Sequence, residues 1–76
     1  MRVTVKLFAQ YREGRFIQKE MELSEGTTVD KVINLVGLDL EHYPVGIVLV
    51  NGRHSDNTTA LKEGDTLSLF PKVGGG

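Results

Sequence analysis

A chain of 76 residues without a single cysteine has to fold on hydrophobic packing alone. A domain this small buries only about 60% of the surface that its unfolded chain exposes, so there is room for one core and an economical fold. The missing cysteine excludes disulfide bridges, thiolate metal sites and a cysteine nucleophile, and the length leaves no space for an ordinary enzyme cleft. Nine basic residues against ten acidic ones give a formal net charge of -1. That balance offers no electrostatic footprint for nucleic acid or an anionic membrane, so neither is expected as a partner. No apolar run approaches the roughly 20 residues of a membrane span, and Met1-Arg2-Val3-Thr4 opens a strand pattern, not a secretory signal. A cytoplasmic, reducing environment is the expectation.

From Met1 to Phe8 the residues alternate, with Val3, Val5 and Leu7 on one face and Arg2, Thr4 and Lys6 on the other. This period of two predicts a half-buried first strand. Phe8 falls on the polar face, just before a turn over Ala9 to Gly14. A second alternation, Arg15 to Leu23, puts Ile17, Met21 and Leu23 on one side, so the two segments predict an antiparallel hairpin. The mixed charges around it, Arg12, Glu13, Arg15, Lys19, Glu20 and Glu22, have the look of a solvated face.

Thr27, followed three residues later by Asp30, is a variant of the capping pattern that starts a helix. Val29, Val32, Ile33 and Val36 then recur at i, i+3, i+4 and i+7, one apolar stripe, and Gly37 suits the left-handed residue that stops a helix. Leu38 to Pro44 reads as an irregular connection. Val45 to Val50 is a continuous apolar run of strand length and predicts a central strand. Asn51-Gly52 fits a two-residue hairpin loop, which leads into a short edge strand from Arg53. Glu63-Gly64-Asp65 is a further tight turn, and Thr66 to Phe70 alternates with Leu67 and Leu69 inward until Pro71 ends the strand.

The resulting order, two strands, a helix and three strands, is that of an α+β fold of the β-grasp, ubiquitin-like type. It implies a mixed sheet of about five strands with one main helix on one face, and the first and last strands parallel at its centre. Residues 1–71 would form the domain and residues 72–76 a flexible tail.

The tail ends in Gly74, Gly75 and Gly76. At an average glycine usage of about 7%, three in a row at a given place arise by chance on the order of 3 times in 10,000. A chain end without side chains is thin, and it can enter a narrow channel where the Gly76 carboxylate meets ATP on another protein. Adenylation would make that carboxylate a mixed anhydride, and a sulphur nucleophile would convert it to a thiocarboxylate. The plainer alternatives are an unstructured tail or an expression remnant.

Phe8 and Phe70 both sit near the ends of the two strands expected to be neighbours, on the face away from the helix. They are either a partner anchor or fillers at the sheet edge. His42 and His54 stand twelve apart with no second ligand at helical or hairpin spacing, so no metal site is expected and His54 reads as strand surface. The serines lack a nucleophile elbow, and there is no phosphate-binding glycine loop. Asn57-Thr58-Thr59 matches a glycosylation acceptor only formally.

Four segments together resemble the MoaD/ThiS family of ubiquitin-like sulphur carriers: Leu7-Phe8-Ala9-Gln10-Tyr11-Arg12-Glu13, Val48-Leu49-Val50-Asn51-Gly52, Leu61-Lys62-Glu63-Gly64-Asp65 and Phe70-Pro71-Lys72-Val73-Gly74-Gly75-Gly76. The first and last are similar to the small subunit of molybdopterin synthase. The resemblance implies that Gly76, with Gly75 as its diglycine partner, is adenylated and then thiocarboxylated. It implies that Phe8 and Phe70, flanked by His54 and Pro71, contact partner proteins, with His54 making that patch more polar.

The partners so implied are an E1-like adenylating enzyme that uses ATP, a large molybdopterin synthase subunit or a thiazole synthase, and a sulphur donor such as a cysteine desulfurase or rhodanese. The chain itself would bind no cofactor and act as a co-substrate, not an enzyme. A carrier for thiamine thiazole synthesis, a ubiquitin-like protein modifier and a passive adaptor are the competing readings.

Overall fold

The computed structural model describes residues 1–72. Five strands form one sheet: β1 (Arg2–Leu7), β2 (Gln18–Glu22), β3 (Val45–Val50), β4 (Arg53–His54) and β5 (Thr66–Pro71), in the order β2-β1-β5-β3-β4. A single helix, α1 (Val29–Val36), follows β2 in the chain, and a 3₁₀ turn over Ala9–Arg12 follows β1. Strands β1 and β5 run parallel at the centre and every other pair is antiparallel, as the β-grasp expectation requires. No helix among the described residues is long and apolar enough to cross a membrane.

The alternation read from the sequence decides which face is covered. Val3, Val5, Leu7, Leu67 and Leu69 are all fully buried, and Val29, Val32 and Ile33 of α1 belong to the same core cluster. Gly37, at φ 78°, takes the left-handed position that closes α1, and its N–H reaches the carbonyls of Ile33 and Asn34. Asn51 and Gly52 have φ of 52° and 81°, the paired positive angles that a tight hairpin between β3 and β4 requires.

Two local expectations are corrected. The capping residue of α1 is Thr28, not Thr27; the Thr27 hydroxyl bonds the Ser24 carbonyl, and the Thr28 hydroxyl bonds the Asp30 carboxylate. The first N–H groups of the helix find main-chain partners instead. Val29 donates to the Thr59 carbonyl (3.0 Å) and Asp30 to that of Asn57 (2.9 Å), so a loop distant in sequence caps the helix.

The second correction is the length of β2. Pairing with β1 stops at Gln18, Ile17 is 62% exposed, and Phe16 takes the place against the core. Alternation alone cannot show where a ladder ends: the Ile17 carbonyl still accepts the Leu7 N–H at 3.0 Å, but the chain leaves the sheet there and the Ile17 side chain stays outside.

The expectation of a strand inside the sheet over Val45–Val50 is met by β3. Hydrogen bonds join it to both β5 and β4, yet only Val48 of its six residues is buried. A continuous apolar run suits a strand covered on both faces, whereas α1 covers one face only. Of the apolar residues on the other pleat, Ile47 is therefore left exposed and Leu49 half-buried.

Candidate functional site

The parallel register of the two central strands builds the most conspicuous surface feature. Lys6 lies opposite Ser68, so the next outward positions along each strand are Phe8 and Phe70. Phe8 remains extended (φ -128°, ψ 156°) and donates its N–H to the Leu69 carbonyl at 3.2 Å. The two rings stack with centroids 4.1 Å apart and planes within 11° of parallel.

Immediately beyond Phe8, Ala9 adopts φ 51° and turns the chain into the 3₁₀ segment. This turn has two consequences. It brings the Arg12 guanidinium 4.9 Å from the Phe8 ring centroid, with Nε donating to the Leu7 carbonyl at 2.6 Å. A cation so placed contributes about 0.5 to 1 kcal/mol at an exposed site, and its hydrogen bond fixes it there. The turn also drives Tyr11 into the core, where it is 1% exposed. The Tyr11 hydroxyl donates to the Tyr43 carbonyl at 2.6 Å, tying the base of the aromatic site to the connection before β3. Burial pushes the Tyr11 phenol above its ordinary value, partly opposed by the charge of Arg15.

Strand β3 extends the patch. Ile47 lies opposite Phe70 and is 42% exposed, and Leu49 lies between Ser68 and His54. His54 is exposed on the same face, but β3 stands between it and Phe70. Pro71 is buried on the pleat opposite Phe70, beside Val45, so the expectation that it joins the contact surface is corrected: strand period puts it underneath. Gly75 and Gly76 lie outside the described residues.

The sequence reading missed Ile47, Leu49 and Arg12. The signal for the first two was present: a six-residue apolar run in a sheet with one helix must expose its alternate members. Arg12 had none, since only the turn at Ala9 folds it back over Phe8. The other histidine, His42, pairs through Nδ1 with the Asp39 carboxylate at 2.8 Å. Among the described residues no three potential metal ligands gather.

The chemistry of this face is recognition. The half-buried Phe8 and Phe70 and the exposed Ile47 supply apolar area, Arg12 and His54 supply polar margins, and among the described residues no nucleophile with a paired base stands near them. An exposed apolar patch with a polar rim is the kind of surface that docks on another protein.

A family model described as the ThiS family matches residues 5–76. Among solved structures, SAMP1 of Haloferax volcanii, a small archaeal modifier protein, is 30% identical, with each chain covered over its full length and a TM-score of 0.76. A putative molybdopterin converting factor subunit 1 from Pyrococcus furiosus is also 30% identical, over 96% of this chain and 99% of that one, with a TM-score of 0.77. The Helicobacter pylori complex of subunits 1 and 2 of molybdopterin-converting factor contains a chain 25% identical over the full length of both, with a TM-score of 0.67. With its β-grasp sheet, its uncovered aromatic face and a match over nearly all of its length, this chain belongs to the ThiS family, among the small ubiquitin-fold sulphur carriers and modifiers.

Proposed function

We propose that this chain carries sulphur for molybdopterin synthesis as a thiocarboxylate on Gly76. The observation that bears most weight is the Phe8–Phe70 stack at the end of β5, the strand that leads directly to the glycine terminus. A docking surface at that place lets a partner hold the folded domain while the terminus enters its active site. The likeness to molybdopterin converting factor subunit 1 points to the same pathway.

In this reading an oxygen of the Gly76 carboxylate attacks the α-phosphorus of ATP and expels pyrophosphate, on an E1-like adenylating enzyme. The outer sulphur of a persulphide on a cysteine desulfurase or rhodanese then attacks the acyl adenylate and displaces AMP, giving an acyl disulphide. A second thiol cleaves its S–S bond, forming a disulphide with the donor's cysteine and releasing the thiocarboxylate. The catalytic groups belong to the partners, and this chain supplies the acyl end, with Gly75 keeping the approach narrow. The large synthase subunit would dock on the aromatic face, as subunit 2 accompanies subunit 1 in the Helicobacter pylori complex.

The test is the intact mass of the chain after incubation with ATP, the E1-like enzyme of the same organism and a sulphur donor. The expected product has one oxygen replaced by sulphur, and an unchanged mass would remove the proposal. Capture by the large synthase subunit, and not by a thiazole synthase, is the expected outcome of a pull-down against both. The likeness to SAMP1 over the whole chain favours a second reading, in which the same adenylate ends as an isopeptide bond to a lysine of a target protein. A ladder of conjugates retaining this chain would establish it.

A further inference from the structure

The place where the chain leaves the sheet is held in an unusual way. Val45 pairs with Pro71 and Ile47 with Phe70, so Gly46 is the extra residue of a bulge in β3. It is not among the glycines of positive φ, and its backbone angle does not demand glycine. Space does. A Cβ built on Gly46 would come within 2.7 Å of the Lys72 Cα, 2.9 Å of the Lys72 nitrogen and 3.0 Å of the Pro71 carbonyl oxygen. These are main-chain atoms, which cannot rotate out of the way as a flexible side chain would. On the other side of the bulge, the Lys72 N–H donates to the Pro44 carbonyl at 2.7 Å.

Residues 44 and 46 thus seat the Lys72 backbone from both sides of Val45, four residues before Gly76. We infer that Gly46 is a positioning residue for the reaction at Gly76: its missing side chain lets the main chain of β5 lie down in the bulge, and so fixes the direction in which the terminal residues leave the domain. The inference rests on the proposed function. It adds a determinant that touches neither the partner nor the reacting carboxylate and acts through Lys72 alone.

The consequence is a separation of docking from chemistry. The face carrying Phe8 and Phe70 stays intact in Gly46→Ala, so affinity for the adenylating enzyme is retained. The terminus, started from a displaced Lys72, arrives wrongly aimed. A misplacement of the order of 1 Å costs about a hundredfold in a positioned reaction, so kcat for adenylation should fall by about that factor while KM stays near that of the unaltered chain.

The experiment measures ATP–pyrophosphate exchange by the E1-like adenylating enzyme of the same organism, with the full chain as acyl substrate, for the unaltered protein, Gly46→Ala and Lys72→Pro. Lys72→Pro deletes the N–H that bonds Pro44 without adding anything to β3, and it should give the same fall in kcat at constant KM. It decides the matter if Gly46→Ala does not fold. Lys72→Ala keeps the main chain and should match the unaltered protein. Faster hydrogen exchange at the residue 72 amide in Gly46→Ala, with Val5 and Leu67 as slow as before, is the expected physical signature. Unaltered kcat in both Gly46→Ala and Lys72→Pro overturns the inference, as does a rise in KM equal to the loss in kcat/KM. If even the unaltered chain supports no exchange, it is the proposed function that fails, and this inference with it.

Discussion

Leu69 and Phe70 are neighbours in one strand and live in different worlds. Leu69 is fully buried beneath the helix-covered face, and Phe70 lies on the open face against Phe8. The two faces of the sheet divide the tasks of a small domain. The inner one gathers nearly all of the apolar packing that stability requires, and the outer one spends its aromatic residues where they add little to folding. The outer face is itself divided. At its other end Arg2 bonds Glu22 at 3.2 Å and lies opposite it in the ladder, with Thr4 opposite Glu20, so that end is polar and solvated. Only the end near the exit of β5 is apolar, which is where a partner has to bind if the terminus is to reach its active site.

The sharpest way to break this division is to remove Gly75 and Gly76. Sulphur transfer should vanish altogether while the thermal midpoint stays that of the full chain, since the inner face is untouched. Cofactor synthesis that survives the truncation would make the outer face the whole of the function and reduce the chain to an adaptor.

Leu69→Ala and Phe70→Ala then test the two faces one residue apart. Truncating the buried leucine should cost about 2 to 5 kcal/mol in denaturant unfolding, a large share of the 5 to 15 kcal/mol that holds a typical domain together. Truncating Phe70 should leave unfolding within about 1.5 kcal/mol of the unaltered protein, the worth of a lost aromatic pair. It should instead weaken partner binding by about 2 kcal/mol or more, as an interface anchor does. Titration calorimetry against the large synthase subunit provides the number. A Phe70→Ala protein that unfolds as easily as Leu69→Ala would show that the stack belongs to the core.

Arg12→Ala is a smaller probe of the same face. With the guanidinium gone, Phe8 keeps its partner Phe70 but loses the cation that closes on it. Binding should weaken by about 0.5 to 1 kcal/mol, more at low salt than at high. Equal affinity for both proteins at low salt would leave Arg12 as a fixture of the turn alone.

Much of this division could be read from the sequence because a strand period of two is local. Val3, Val5 and Leu7, or Leu67 and Leu69, declare their face without any knowledge of the partner strand. The helix stripe and its glycine stop are equally local. What escaped depends on contacts between distant segments. The end of the β1–β2 ladder is set by where the chain turns away, so Ile17 was placed inward. The cap of α1 is supplied by carbonyls of Asn57 and Thr59, so Thr27 received a role that it does not have. Tyr11 enters the core and Arg12 folds over Phe8 only because Ala9 takes a left-handed angle, which nothing about alanine announces. The exposed pleat of β3 was legible in principle, because a sheet with one helix leaves alternate members of an apolar run on its open face.

The loop that caps α1 also carries the smallest effect to be expected, one that bears on how the inner face is closed. Asp56 accepts the Thr58 hydroxyl at 2.6 Å and the Thr58 N–H at 2.9 Å, and the Thr59 hydroxyl stands at 3.4 Å. These bonds, the Thr58 hydroxyl first, hold its carboxyl below the ordinary value of 3.8. A carboxylate whose folded pKa is depressed favours the folded state fully above the unfolded value, and that contribution fades as pH falls through the folded one. The side chain is exposed, so the effect is a slight one. The Asp56 carboxyl carbon, followed by NMR, should titrate with a midpoint below 3.8, and Asp56→Ala should unfold more easily than the unaltered protein at neutral pH but not once both are well below that midpoint. If the two proteins differ equally at both pH extremes, the turn at Asn57 and Thr59 does not depend on the charge of Asp56, and the loop holds the end of the helix through its backbone alone.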